Sequence, residues 1–135
     1  MSFLPIKSDN GAVLPWEYLA AEAGTYKAGQ LLAVDAATGY LEPIAADLVT
    51  TPPYLCMADV KAETAGTPIP VTRVSKDHIY ETTLAEATST AVVGMKLQVE
   101  SGGLTASKPA SGSGTFEVVS LDGTDAGDAV RGRWL

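Results

Sequence analysis

His78 is the only histidine and Cys56 the only cysteine in this 135-residue sequence. A metal site of common type needs several His, Cys or carboxylate ligands to converge, and neither residue has partners at ligand spacing. His78 is therefore expected to be a strand histidine facing a neighbour or solvent, with no metal bound. Serines are plentiful, but there is no Gly-x-Ser-x-Gly elbow, and a lone histidine is only one member of a hydrolytic triad. Cys56 stands in the apolar run Leu55-Cys56-Met57 with no cation close in sequence to lower its pKa, which predicts a buried, inert thiol.

The acidic stretch Asp122-Gly123-Thr124-Asp125-Ala126-Gly127-Asp128 invites a calcium reading. An EF-type loop needs ligands at alternate positions and a distal Glu, whereas these carboxylates recur every third residue. Asp-Gly between two β runs reads instead as a turn. Gly112-Ser113-Gly114 lacks the glycine spacing and the following Lys-Ser/Thr of a phosphate loop. Glu81, Glu86 and Glu100 would supply carboxylates for glycoside hydrolysis, but no cluster of sugar-stacking aromatics surrounds them. The sequence thus offers no catalytic residue and no cofactor site, and predicts a protein that is not an enzyme.

Composition narrows the class further. Nine Lys and Arg stand against sixteen Asp and Glu, a net charge of −7, and no three basic residues cluster. Nucleic-acid affinity is largely phosphate neutralisation, so neither a nucleic acid nor an anionic membrane is an expected partner. One cysteine makes no internal disulfide. Residues 1–20 lack the basic start and apolar run of a signal peptide, and no apolar run approaches the roughly 20 residues that span a bilayer. Synthesis and folding in a cytoplasm are expected.

The elements behind these residues are strands and turns. Gln30–Asp35 reads as a strand, Ala36–Gly39 as its turn and Tyr40–Pro43 as the return. Residues 54–60 are apolar on both faces, as a central strand would be. Pro68 to Val74 alternates, but its two prolines place it at a sheet edge. His78–Leu84 is another strand, and 85–90 a short helix or irregular link. Residues 107–114 form a surface loop by composition.

The second half also resembles the first. Gly29-x-x-Leu32-x-Val34-Asp35 is matched by Gly94-x-x-Leu97-x-Val99-Glu100, and Gly39-Tyr40-Leu41 by Gly103-Leu104-Thr105. Leu55-x-Met57 with Ala65-Gly66-x-x-Ile69 is matched by Phe116-x-Val118 with Ala126-Gly127-x-x-Val130. The shared order reads as a duplicated β-unit, 26–84 and 91–135, within one mainly β, small β-barrel or β-tulip-like domain over 26–135. Closing two such units on each other would hide their strand edges.

Residues 1–25 read differently. Phe3-Leu4-Pro5-Ile6 and Leu14-Pro15-Trp16-Glu17-Tyr18 show no sustained period, and prolines and a glycine punctuate them, which predicts an extended N-terminal arm. One or two helical turns are open to residues 16–23. Phe3, Leu4, Ile6, Trp16 and Tyr18 either fold back on the chain's own barrel or insert into a neighbour. Aromatic residues are favoured interface anchors, so these five are the expected contact residues.

Tyr26-Lys27-Ala28-Gly29-Gln30-Leu31-Leu32-Ala33, with Gly39-Tyr40-Leu41 after it, resembles the opening of phage head decoration proteins of the lambda type and related capsid-cement families. The likeness runs on through Met57, Ile69–Val74 and His78–Leu84. It implies a β-barrel or tulip core on the outer capsid surface of a virion, bound to the major capsid protein and to neighbouring copies of itself, often as a trimer, with an N-terminal arm that orders on the capsid. The chain is longer than the smallest members, and the second repeat leaves a trimer, a dimer or lattice contacts open. The alternative is another virion component, of tail or baseplate, or a carbohydrate-binding β module.

Overall fold

The computed structural model describes residues 2–11 and 14–135. The regular secondary structure of these residues is all strand, joined by turns and irregular links, with no helix. The strands are β1 (Leu4–Ser8), β2 (Glu17–Ala21), β3 (Gly24–Tyr26), β4 (Leu31–Val34), β5 (Leu41–Pro43), β6 (Tyr54–Cys56) and β7 (Val60–Ala62), then β8 (Thr67–Arg73), β9 (His78–Thr83), β10 (Lys96–Val99), β11 (Ala106–Ser107), β12 (Phe116–Leu121) and β13 (Ala129–Trp134). Strands β2-β5-β4-β6-β8 close into a barrel, and a six-stranded sheet runs β1-β9-β13-β12-β10-β11. The fold is thus mainly β and built on a small closed barrel, as the alternating runs and glycine turns predict.

The pairing order of the first barrel returns in the second half. Strand β4 lies antiparallel between β5 and β6, and β10 lies antiparallel between β11 and β12. Strand β6 pairs β8 and β8 pairs β2, as β12 pairs β13 and β13 pairs β9. Each circuit ends in a parallel contact, Ala21 with Leu41 in the barrel and Leu84 with Ala106 in the second unit. The hydrogen bonds beside these contacts match too. Glu22 N–H donates to Leu41 O at 2.8 Å and Ala85 N–H to Ala106 O at 2.9 Å; Gly66 N–H donates to Ala21 O and Gly127 N–H to Leu84 O. The units therefore open at β2 and β9, both earlier than 26–84 and 91–135 would place them, and β9 falls inside the span expected for the first unit.

Register corrects one of the sequence matches. Leu32 pairs Tyr54 where Leu97 pairs Phe116, so Phe116 corresponds to Tyr54, and Leu55 corresponds to Glu117. A one-residue slip reverses the face of a strand side chain. Leu55 accordingly leaves its own barrel and joins the core of the second unit.

Two clusters fill the molecule. Leu32, Leu41, Cys56, Ile69 and Val71 pack with Tyr26 inside the first barrel. Leu97, Phe116, Val118, Val130 and Trp134 form the core of the second unit, and Leu31 and Leu55 reach into it from the barrel strands. Successive strand residues point to opposite faces, which lets Leu31 and Leu32 both be fully buried, one in each cluster. Along this seam Leu31 N–H donates to Gly103 O at 2.8 Å and Gln30 Nε2 to Gly102 O at 2.8 Å. Gly103 comes so close that a Cβ built on it would lie 2.2 Å from Leu31 O.

Three local expectations change. The strand at 68–74 is not an edge: β8 lies inside the barrel between β6 and β2. Its prolines are tolerated because β6 pairs only Val71 to Arg73, leaving the side of Pro68 and Pro70 without a β6 partner. Residues 54–60 are not one strand; they break after Cys56, and β7 pairs β3 in a separate ribbon. Residues 17–21 are a strand despite Glu17, Leu19, Ala20 and Ala21 being sound helix formers, because closing the barrel against β8 outweighs a propensity worth only tenths of a kcal/mol per residue.

Candidate functional site

Residues 1–25 do not form a free arm where the structure describes them. Strand β1 pairs β9 in the second unit, and β2 pairs β8 in the first. Phe3 is 0% exposed. Its ring meets Phe116 edge-on at 5.6 Å and Trp134 at 5.8 Å, and its N–H donates to Gly29 O at 2.8 Å. Of the five expected contact residues, Phe3 is thus a core residue and unavailable to a neighbour. The irregular pattern that suggested an arm has a cause in the ladder. Pro5 pairs Tyr80 and Lys7 pairs Ile79, so Ile6 is an extra, bulged residue that breaks the alternation.

The other four remain at the surface. Leu4 is 43%, Ile6 49%, Trp16 56% and Tyr18 67% exposed. Ile6 and Trp16 line one shallow groove with Pro5, Lys7, Leu14 and Met57, and His78 reaches its wall. Leu4 lies apart, in a hollow with Ser2, Lys27, Ala28, Asp59 and Leu104. Tyr18 stands on β2 and Trp16 immediately precedes that strand, two residues away, a spacing that returns extended side chains to one face. Large aromatics left in water on a rigid strand are the kind of feature that marks an interaction surface. Sequence reasoning missed a second exposed apolar pair, Val92 and Val93, in the link before β10. Its signal was two adjacent valines outside any strand pattern.

The chemistry-bearing residues are held in structural roles. His78 Nδ1 lies 3.1 Å from Ser75 Oγ, which also accepts the Asp77 N–H, so the imidazole belongs to a local turn. The acidic stretch closes on itself: Asp125 N–H donates to Asp128 Oδ2 at 3.0 Å, and both Asp122 oxygens accept from Arg131 at 3.0 Å. Arg131 also donates to Glu81 at 2.9 Å and Ser120 at 3.0 Å, which ties Glu81 into the β9–β13 ladder. Hydrogen bonding to Asp122 foremost, then Glu81, raises the Arg131 guanidinium pKa. Among the described residues no group of three or more His, Cys, Asp and Glu side chains converges as a metal site would require.

Cys56 is buried and its thiol donates to Ala58 O at 3.2 Å. Burial foremost pushes this thiol and the Tyr26 and Tyr80 hydroxyls above their ordinary ranges, with Glu22 and Glu42 adding to the effect at Tyr26. Groups whose pKa is raised by folding hold their proton more tightly in the native state, so their contribution is complete below the unfolded values and lost as pH rises through the folded ones. Stability is expected to stay level on their account up to about pH 8.5, the ordinary thiol value, and then to fall. Urea midpoints between pH 7 and 10.5 measure this, and a level profile across the whole range would mean that the three groups are solvated.

No protein-family model matches the chain, and no curated protein matches it either.

Proposed function

We propose that this chain is a structural protein of a phage particle, which binds the outer surface of the capsid and stabilises its lattice. The observation that carries the reading is the Trp16–Tyr18 surface with Ile6 beside it, exposed on a body built from a closed barrel and a six-stranded sheet, each with its own packed core. Decoration needs an adhesive face on a stiff scaffold and no reacting group. Bound at many equivalent sites on a shell, such a face adds stability at each through buried apolar area, and through avidity where one molecule bridges neighbours. The partner is the major capsid protein, and neighbouring copies make further lattice contacts.

A second reading draws on the same residues. Exposed aromatics at the start of a barrel strand also stack on sugar rings, so a carbohydrate-binding β module, or a tail or baseplate component, fits Trp16 and Tyr18. The two readings separate by co-sedimentation with expanded capsids of the phage that encodes the chain, alongside a glycan array. Decoration expects saturable binding at fixed stoichiometry, with Trp16→Ala and Tyr18→Ala together weakening it at least about 30-fold, the effect of a hot spot near 2 kcal/mol. Glycan binding with no capsid binding would replace decoration by the second reading.

A further inference from the structure

The repeat sets two strand edges in correspondence, and only one of them is covered. In the second unit, β1 lies antiparallel along β9, with Leu4 opposite Glu81, Pro5 opposite Tyr80, Lys7 opposite Ile79 and Ser8 opposite His78. The matched hydrogen bonds at Ala21 and Leu84 fix the shift between β2 and β9 at 63 residues (84 − 21). The ladders agree, since Tyr18 pairs Pro70 as Glu81 pairs Arg131, and Glu17 pairs Val71 as Tyr80 pairs Gly132. The counterparts of His78, Ile79, Tyr80 and Glu81 are therefore Pro15, Trp16, Glu17 and Tyr18.

No strand lies on that counterpart edge among the described residues. Where β1 covers the edge, His78 and Tyr80 are buried; where the edge is bare, all four of 15–18 are exposed, and two are aromatic. The backbone is oriented to pair. Pro70 O accepts the Met57 N–H at 3.0 Å, on the side of β8 away from β2. In an antiparallel ladder opposite residues share their hydrogen-bonding phase, so Tyr18, opposite Pro70, turns its N–H and C=O away from β8 and outward.

We propose that the edge at Pro15–Tyr18 accepts an extended segment of a partner protein, antiparallel, in the place that β1 occupies on β9. The proposal deepens the decoration reading, because it gives the form in which a capsid protein would be held. A second copy of this chain does not supply the segment, since its own β1 is anchored by Phe3 in the core and paired to β9. The segment is a short strand with aliphatic residues at alternate positions to pack on Trp16 and Tyr18. It carries no acidic excess, because it meets Glu17 on a chain of net charge −7. Main-chain pairing supplies affinity in such additions, and the alternate side chains supply selectivity.

The test uses the full chain and, as probe, a synthetic peptide with the sequence of residues 2–9, the strand that covers the equivalent edge. At millimolar peptide the Tyr18 amide is expected to shift in the 15N–1H spectrum and to exchange several-fold more slowly. Tyr18→Pro removes the ring together with the outward N–H opposite Pro70, and Tyr18→Ala removes the ring alone; read at the Glu17 and Leu19 amides, the first should abolish the response and the second should keep it in weaker form. An unperturbed Tyr18 amide, or a Tyr18→Pro chain that titrates like the wild type, overturns the strand-accepting edge. Capsids report separately: a chain that answers the peptide but does not sediment with shells loses decoration and keeps the edge. A chain that sediments while its Tyr18 amide exchanges at the free rate keeps decoration and loses the edge.

Discussion

Replacing Phe3 with alanine is expected to lower the stability of the whole chain by about 3–5 kcal/mol, the range for truncating a buried aromatic. The residue has no exposed surface, and it closes an aromatic cluster in which Phe116 and Trp134 lie 4.7 Å apart. The loss combines the transfer of the ring to water with a cavity that the surrounding strands cannot collapse into, since β1 is pinned on one side by β9 and at Gly29 on the other. Domains of this size have about 5–15 kcal/mol in total, so the variant sits near the threshold of folding. Urea unfolding followed by tryptophan fluorescence measures it. Leu4→Ala and Ile6→Ala, flanking but exposed, should stay within about 0.5 kcal/mol of the wild type. A cost below about 1 kcal/mol for Phe3→Ala would remove the ring from the core. The same anchoring disqualifies truncation as a test of capsid adhesion: removing residues 1–8 would strip a core residue and uncover β9 together.

The second large effect is expected at Gly103. Its φ is +75°, a conformation that costs a residue with a Cβ about 1–2 kcal/mol, and a Cβ there would strike Leu31 O at 2.2 Å and Leu31 N at 3.0 Å. Both obstacles are backbone atoms of the seam and have no rotamer to escape into, so Gly103→Ala is expected to lose about 3–5 kcal/mol, strain and overpacking together. The repeat supplies the control. Gly39 holds the matching turn of the first unit at the same φ of +75°, with nothing within 4 Å of its Cβ position. Gly39→Ala should show the conformational part alone, about 1–2 kcal/mol. The difference between the two midpoints reports the tightness of the seam, and equal losses would mean that the units do not press on each other at Gly103.

Most of the barrel was legible because its causes are local. Gly39 marks the turn between Val34 and Leu41, and the alternation over His78 to Thr83 marks β9. Errors arose where a distant partner decides. The prolines of β8 read as an edge signal, yet the sequence does not show that β6 is too short to reach them. Ile6 breaks the period of β1 because one bulged residue shifts every later side chain, so a bulged strand paired to β9 reads in sequence as an arm. Trp16 and Tyr18 stood out by type and spacing. That they stand beside an unfilled edge was invisible, since the vacancy exists only by comparison with β1 on β9, a pairing between residues seventy or more positions apart.

The position of β1 also decides how the molecule carries force. Strands β1 and β13 flank β9 and are both antiparallel to it, so they run parallel to each other. Tension applied between Leu4 and Trp134 pulls β1 and β13 in opposite senses along their own axes. The rungs on both sides of β9 are then loaded together in shear, and none can be peeled open one at a time. With the Phe3 ring locked under the same three strands, sliding β1 also means dragging an aromatic group out of a packed core. A clamp of this geometry yields abruptly and at high load, which suits a body held against a wall that is pushed from within.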